Sequence, residues 1–597
     1  MLPSVVSANK KMFPRRVDAA VLWQPYELGE RRSTLGLFVA MAVALATALL
    51  VRIWLKNQSI NISLAGFFMV SDAGDHYECA RHLDWRGSLE GQEWCQRRPL
   101  YAALLAGFSA LAGRLSLGMM LLQAAMLGVS VFVLARAVSR QLGLIAAACA
   151  FVLMFAYGRE HALSQIMSEN AGLMFGAVGL AFLLHGAATD GERRRILIGT
   201  ALVSIALFAR AGPILTLPLI AAWAMLTFRH QGDGWRLLAG LVVAVLAGPM
   251  LQAVVSLLAG ADVTNAQSNF AYTLYGLAMG GRGWGAVFED HPYLAKLSDA
   301  AAAKEIYALA FKKLTQDPGL FFTACAKNVA IFLRHPLFDV PGSQIGGLPN
   351  LLWWFGALAI FIRRKSPVYT LVGWINLGVA LSAAVIAGDG GPRVYAATFG
   401  AQVLQASLGA VFVLQTLVHG LPAAAMLAMP PGIDKPDTLR STLAILLLLL
   451  VLFPVTPLRL LAPRPFAADL ECPAGLRSVI VRPGRETYQL AITNSAQPAD
   501  VFWMKVARER FERRLAVGDW VRKDFLALDT PVTVYRAWPI NSLSSSEVRF
   551  YVDADASGYA YKTVHACIDE RLGITLAGLE FHRAVSMTVV GKPVGTE

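Results

Sequence analysis

The sequence predicts an all-α polytopic membrane protein of about eleven transmembrane helices, followed by an extracytoplasmic β-rich domain. Three observations predict it. Apolar runs long enough to cross a hydrocarbon core of ~30 Å recur from Leu35 onward. Arginines gather in the short segments between those runs. Past residue 461 the pattern changes to short strand-like stretches separated by Gly, Pro, Asn and Asp.

Composition supports the first observation. The 597 residues are 56% hydrophobic and 16% charged, more apolar surface than an aqueous core hides. Spans must then be helical, because a strand edge facing lipid leaves backbone groups unpaired.

In residues 1–34, Lys10, Lys11, Arg15, Arg16, Arg31 and Arg32 precede the first run, and no small-residue cleavage site follows it. This predicts a retained first helix with a cytoplasmic N-terminus. Spans are expected at Leu35–Val51, Leu115–Ala135, Leu142–Tyr157, Ala171–Leu184, Ile196–Ala209, Ile214–Phe228, Leu237–Leu258, Leu351–Ile362, Val368–Ala387, Ala396–Val418 and Leu443–Phe453. An inside N-terminus then makes Arg136, Arg140, Arg193–Arg195, Arg229, Arg363, Arg364, Lys365, Lys435 and Arg440 cytoplasmic. The net charge of +13 is thus topological, and no nucleic-acid partner is expected. The alternation holds only if 99–113, short and opened by Arg97-Arg98-Pro99, does not cross the membrane, and it is expected to be an interfacial helix.

Residues 35–461 therefore form a membrane domain, with outer segments 56–114 and 259–350 and an outer tail 462–597. In the tail, strands are expected at Ser478–Val481, Thr487–Ile492, Val532–Tyr535, Val548–Val552, Tyr559–Val564 and Ala584–Val590. The first outer segment holds only Cys79 and Cys95, and the tail only Cys472 and Cys567. In an oxidising compartment each pair is expected to form a disulfide. Cys149 and Cys325 read as small apolar packers. No internal repeat, P-loop, dinucleotide-binding glycine pattern or His-Glu-x-x-His is present.

Chemistry in water is open to the outer segments. The first begins Ser71-Asp72-Ala73-Gly74-Asp75-His76-Tyr77 and runs on to Arg97-Arg98-Pro99-Leu100-Tyr101. A carboxylate there can take a proton from an attacking hydroxyl, or can simply be solvated. Arg210 interrupts an apolar stretch, where a cation must be paired, solvated in a cavity or snorkelled to the interface. Arg393, in Gly388-Asp389-Gly390-Gly391-Pro392-Arg393-Val394-Tyr395, suits a phosphate clamp or a pair with Asp389. Glu169 in Met167-Ser168-Glu169-Asn170 suits a sugar-binding acid or the first turn of a capped helix. Tyr275, Gly280-Gly281-Arg282-Gly283-Trp284 and Glu289-Asp290-His291 suit a sugar-stacking flap or an interfacial aromatic belt, and no metal site is predicted from them.

The order of these features, an outer-loop Asp, then Tyr and a helix, then Arg-Pro-Leu-Tyr, then a span ending Ala-Arg, resembles the GT-C superfamily of membrane glycosyltransferases. That group includes bacterial aminoarabinose transferases and protein O-mannosyltransferases. The resemblance covers roughly residues 35–420 in organisation, through short motifs. It implies a polyprenyl-phosphate sugar as donor, a glycan, lipid or protein acceptor in the cell envelope, and inverting transfer at the outer face of the cytoplasmic membrane. It implies Asp72 or Asp75 as base. The donor phosphate would fall to cations among Arg97, Arg98, Arg159, Arg210, Arg282 and Arg393. Tyr77, Glu169, Tyr275, Trp284 and Tyr395 are the substrate-binding candidates. By the same resemblance the tail could bind glycan acceptor, the alternative being a purely structural cap. No cofactor is required on this reading, and a divalent metal is not predicted. The alternative from another class is a polyprenyl-lipid flippase or secondary transporter, which would place acids or broken helices at mid-membrane.

Overall fold

Beyond its first two residues, Glu169–Ala188 is apolar on every face, and such a helix belongs inside a bundle. In the computed structural model it is the central helix, with every residue from Glu169 to Ala187 buried. The structure describes residues 24–55, 71–90, 92–113, 116–163, 165–188, 192–228, 234–337, 347–419, 437–455, 470–481, 548–552, 562–576 and 579–590. It also describes the short pieces 63–64, 68–69, 487–493, 505–507, 532–537 and residue 559. Lys10, Lys11, Arg15, Arg16, Arg229, Lys435 and the side chain of Asp389 lie outside the described residues.

The helices in chain order are α1 (Arg32–Leu55), α2 (Ser71–Arg86), α3 (Glu93–Gln96), α4 (Pro99–Leu111), α5 (Ser116–Leu142), α6 (Leu144–His161), α7 (Glu169–Ala188), α8 (Arg193–Ala209), α9 (Thr216–Phe228) and α10 (Gly234–Leu258). They continue with α11 (Ser268–Ala278), α12 (Ala286–Asp290), α13 (Asp299–Gln316), α14 (Pro318–Arg334), α15 (Gly347–Ile362), α16 (Pro367–Gly390), α17 (Phe399–His419) and α18 (Thr438–Val455). Eight of them, α1, α5, α6, α7, α10, α16, α17 and α18, are long and apolar enough to cross a membrane. Each of the other three expected spans is also a helix, but α8, α9 and α15 are shorter, at 17, 13 and 16 residues. The chain is a helical membrane protein with a small C-terminal sheet.

α4 is more enclosed than a helix lying on a membrane surface is expected to be: Pro99 to Ser109 are all buried, packed by α18, α2, α5 and α10. Its uniformly apolar sequence is the reason, since an interfacial helix needs a polar face. The segment 259–350 also holds more helix than its glycines and aromatics suggest. Asp317 caps α14 by accepting from Gly319 N at 3.1 Å, with Pro318 in the first turn.

The segments 56–114 and 259–350 are fastened to each other through their described residues. Leu89 N donates to Ala259 O at 2.7 Å, Asn265 Nδ2 to Gln96 Oε1 at 2.7 Å, and Asp299 N to Glu93 Oε2 at 2.6 Å. The Cys79–Cys95 disulfide ties α2 to α3 at a Cα separation of 5.2 Å. At the other end of the bundle Arg136 and Arg140 of α5 meet Glu27 and Asp437. Arg136 donates to Asp437 Oδ1 at 2.8 Å, to Glu27 Oε1 at 3.3 Å and to Leu28 O at 2.8 Å. Arg140 donates to Glu27 Oε1 at 2.6 Å and Asp437 Oδ2 at 3.3 Å. α18 starts beside this cluster, and its Leu450 lies against Gly107 of α4. The chain therefore leaves α18 towards the end of the bundle that carries α2.

Seven tail strands, β3 (Arg477–Val481), β4 (Thr487–Thr493), β5 (Lys505–Ala507), β6 (Val532–Ala537), β7 (Val548–Val552), β8 (Val564–Leu576) and β9 (Leu579–Val589), form one mixed sheet in the order β3-β8-β9-β7-β6-β4-β5. The hairpin Ser63–Leu64 with Phe68–Met69 supplies β1 and β2. Alternate residues Val479, Val481, Val564, Ala566 and Ile568 build the sheet's core, with Tyr535 stacked on Phe550 at 4.8 Å. Cys472 and Cys567 are bonded, at a Cα separation of 5.6 Å. The strand expected at Tyr559–Val564 instead begins at Val564 and runs on through Asp569-Glu570-Arg571. A register break there lets Glu570 and Arg571 face out, with Arg571 Nε on Asp569 at 3.0 Å.

Candidate functional site

The site is built where α7 begins. Asn170 donates to the carbonyls of Ala162, Gln165 and Met167 at 3.0, 2.9 and 3.2 Å, which fixes the turn between α6 and α7. The preceding residue, Glu169, is thereby held at the bundle's end with no solvent exposure. Two chain segments close on it. α8 ends at Ala209, so that Arg210, extended at φ −132°, turns out of the helix beside Glu169. The turn Gly391–Tyr395 brings Arg393 from the other side, pinned where Tyr157 Oη donates to Pro392 O at 3.0 Å and its ring stacks on Phe399 at 3.9 Å.

Two glycines permit this closeness. A Cβ on Gly172 would stand 3.1 Å from both Arg210 Cβ and Ala397 N. One on Gly212 would stand 2.5 Å from Val394 O, inside van der Waals contact.

Arg393 Nε donates to Glu169 Oε1 at 2.7 Å, and Arg210 reaches the same oxygen at 3.3 Å. Arg98, just before α4, donates to Ser168 Oγ at 2.8 Å. Three guanidinium groups thus converge around one buried carboxylate. Among the described residues Glu169 Oε2, Arg210 Nε, His76 Nε2 and Tyr395 Oη are buried without a hydrogen-bond partner. Such atoms are costly in a native interior, and these four leave the site with unused bonding capacity.

α2 forms the rim. Asp72 stands in its first turn, where the helix dipole favours an acid, and is exposed. Its charge acts on both Arg98 and Arg393. One turn on, on the same face, His76 is buried between Trp94 and Tyr101, each edge-on to it with ring centres at 4.8 Å. Burial, and then the charges of Arg98, Arg210 and Arg393, hold its imidazole well below the ordinary histidine range, so the ring is neutral at pH 7. Asp75 is half-buried three residues after Asp72, and Tyr77 packs into the core.

The other candidate cations are spent elsewhere. Arg97 pairs with Asp299 at 2.5 Å, again joining segments 56–114 and 259–350. Arg159 turns to its neighbour Glu160 at the exposed end of α6. Arg282 is held on the surface by Glu289 and Asp290 at 2.8 and 2.9 Å. Asp290 also accepts from Tyr275 Oη at 2.8 Å; burial and this bond push the Tyr275 hydroxyl up to about 12. Trp284, 41% exposed, stacks on Tyr272 at 4.5 Å in this separate cluster.

Among the described residues the one group with metal-ligand spacing is Cys472, His565 and Cys567, whose two sulfurs are joined as a disulfide. Sequence reasoning missed His76, Trp94 and Gln123, which together with Tyr101 wall the site. Gln123 accepts from Tyr101 Oη at 3.3 Å. The signal for His76 was its i+4 spacing from Asp72. The arrangement can neutralise an anion larger than one carboxylate, beside an exposed carboxylate. No family model, no curated protein and no solved structure matches the chain.

Proposed function

We propose that the protein is an integral membrane glycosyltransferase that moves a sugar from a polyprenyl-phosphate donor to a glycan, lipid or protein acceptor. One observation carries the reading: Arg98, Arg210 and Arg393 gather at the buried carboxylate of Glu169, with exposed Asp72 the other acid acting on them, which leaves three cations to two acids in a largely buried place. Excess buried charge is expensive unless a ligand of opposite sign completes it. A sugar phosphodiester whose anomeric carbon–oxygen bond breaks gathers negative charge on the departing phosphate as it reacts, so guanidinium groups there favour the transition state over the ground state.

In the proposed step the Asp72 carboxylate takes the proton of the acceptor hydroxyl as its oxygen attacks the anomeric carbon. The bond from that carbon to the phosphate oxygen breaks, and polyprenyl phosphate departs with the electron pair, held by the three arginines. Attack opposite the leaving group inverts the anomeric configuration. Asp72 is preferred to Asp75 because it is exposed and its charge reaches Arg98 and Arg393.

The topology that accompanies this reading has eleven crossing helices, a cytoplasmic N-terminus, and the site and tail on the periplasmic side of the inner membrane. The lean of basic residues towards the end opposite Glu169 supports it, as does the direction of α18. Trp284 and the tail would then contact the acceptor. The test is release of polyprenyl phosphate from a panel of lipid-linked sugars by purified wild type, Asp72→Asn and Arg210→Ala, supplied with a cell-envelope acceptor extract. Turnover by wild type that both variants lose while folded supports the proposal. Transport of lipid across vesicles with no donor turnover would replace it with a flippase.

A further inference from the structure

His76 takes no part in the step above, yet its placement is unusual. It is 1% exposed, its Nε2 has no hydrogen-bond partner among the described residues, and its ring cannot turn away because Trp94 and Tyr101 bracket it edge-on. The charged groups that face it from the surrounding elements are all cations: Arg98 ahead of α4, Arg210 after α8 and Arg393 ahead of α17. On its own helix, Asp72 lies one turn away at the rim.

A histidine kept only for packing would have both nitrogens satisfied, or would be replaced by an aromatic ring at no loss. Here a bonding position is left open on a ring whose charged neighbours are arginines. Glu169 gives Oε1 to Arg210 and Arg393, and no described group bonds the ring's Nε2. An acceptor that arrives with a ligand would satisfy it in the tautomer that carries its proton on Nε2.

We infer that His76 is a ligand-binding residue whose Nε2–H donates to a non-bridging oxygen of the phosphate held by Arg98, Arg210 and Arg393. The inference rests on the phosphate reading of this site and adds a neutral donor to it. Three guanidiniums supply charge but little discrimination among anions, whereas a fixed neutral donor bonds one oxygen in one direction. The neutral state follows from the surroundings: burial and three facing cations keep a proton off the ring in the empty site.

The probe is farnesyl phosphate, titrated at pH 7.5 into the purified full-length protein in detergent, with affinity and melting temperature read for wild type, His76→Phe, His76→Gln and Arg210→Ala. His76→Phe keeps the ring packing and removes the donor; it is expected to melt no lower than wild type and to bind about tenfold or more weakly. His76→Gln, whose amide reaches the position of Nε2, is expected to bind within about threefold of wild type, since a hydrogen bond to a charged group is restored. Wild-type affinity in His76→Phe, with Arg210→Ala unable to bind, would overturn the role of His76 and leave the phosphate site standing. Lower melting together with lost binding in both histidine variants would make the residue structural and also overturn it. Failure of wild type itself to bind farnesyl phosphate would overturn the phosphate reading, and this inference with it.

Discussion

The two ends of the helical bundle handle buried arginine in opposite ways. At one end Arg136 and Arg140 meet Glu27 and Asp437, two cations with two acids, and each guanidinium touches both carboxylates. Arg440 beside them is taken up by the Ala181 carbonyl at 3.0 Å and the face of Phe182 at 4.3 Å. At the other end Arg210 and Arg393 share Glu169, whose second oxygen is left without a partner among the described residues, and Arg98 bonds Ser168 beside it. A buried ion cluster contributes to a fold when its charges and hydrogen bonds are matched. A mismatch that the fold tolerates is a better pointer to a ligand. The matched end laces the segment before α1 and the start of α18 to α5, a structural task. The unmatched end lies beside the exposed carboxylate Asp72.

The comparison breaks most visibly on opposite readouts. Arg210→Ala is expected to lower donor turnover by about 10²–10³-fold while the protein still folds, as removal of one preorganised charge at a developing oxyanion does. Asp437→Asn is expected to cost about 3–5 kcal/mol of stability, because it strips a buried partner from two arginines. Its remaining folded fraction should turn over normally, which a melting curve read beside the donor assay checks. If Asp437→Asn loses turnover without loss of stability, the two ends do not differ in kind.

A smaller effect separates them by pH. The His76 ring is held below its ordinary range by burial and then by Arg98, Arg210 and Arg393, so the unfolded chain takes up a proton that the native protein does not. Stability is thus fully present above about pH 6.5 and falls as pH drops below it, by at most about 1.4 kcal/mol per pH unit. Melting curves from pH 7.5 to 5.5 should show this fall in wild type and a shallower one in His76→Phe. An equal slope in both would remove His76 from the account of the site. Arg282→Ala is the smallest change: its ion pairs with Glu289 and Asp290 lie in solvent, and melting temperature and turnover should both stay at wild-type values.

What the chain discloses before folding follows from what is local. Spans are local, since a run such as Leu443–Phe453 has only one comfortable solvent, and each expected run is a helix. Arg210 was legible because an arginine in an apolar stretch needs a reason wherever it lands. Arg159 and Arg282 belonged to a pool that residue type alone could not sort. Their acids were nonetheless close in sequence, at Glu160 and at Glu289 with Asp290, and nearby acids were a usable sign of a solvated pair. Arg97 carried no such sign, because Asp299 is some two hundred residues away. Glu27 and Asp437 were invisible for the same reason. The enclosure of α4 was not legible because its length argued against crossing, and length does not distinguish a helix lying on a membrane from one buried among others. His76 was hidden by the arginines around it, which come from three distant parts of the chain.

The most direct test of the central claim is a structure of the full-length protein with polyprenyl phosphate bound. The account predicts phosphate density touching the guanidiniums of Arg98, Arg210 and Arg393 next to Asp72. Density at the Arg136–Arg140 end, or anywhere that leaves those three arginines on Glu169 and Ser168 alone, would contradict it.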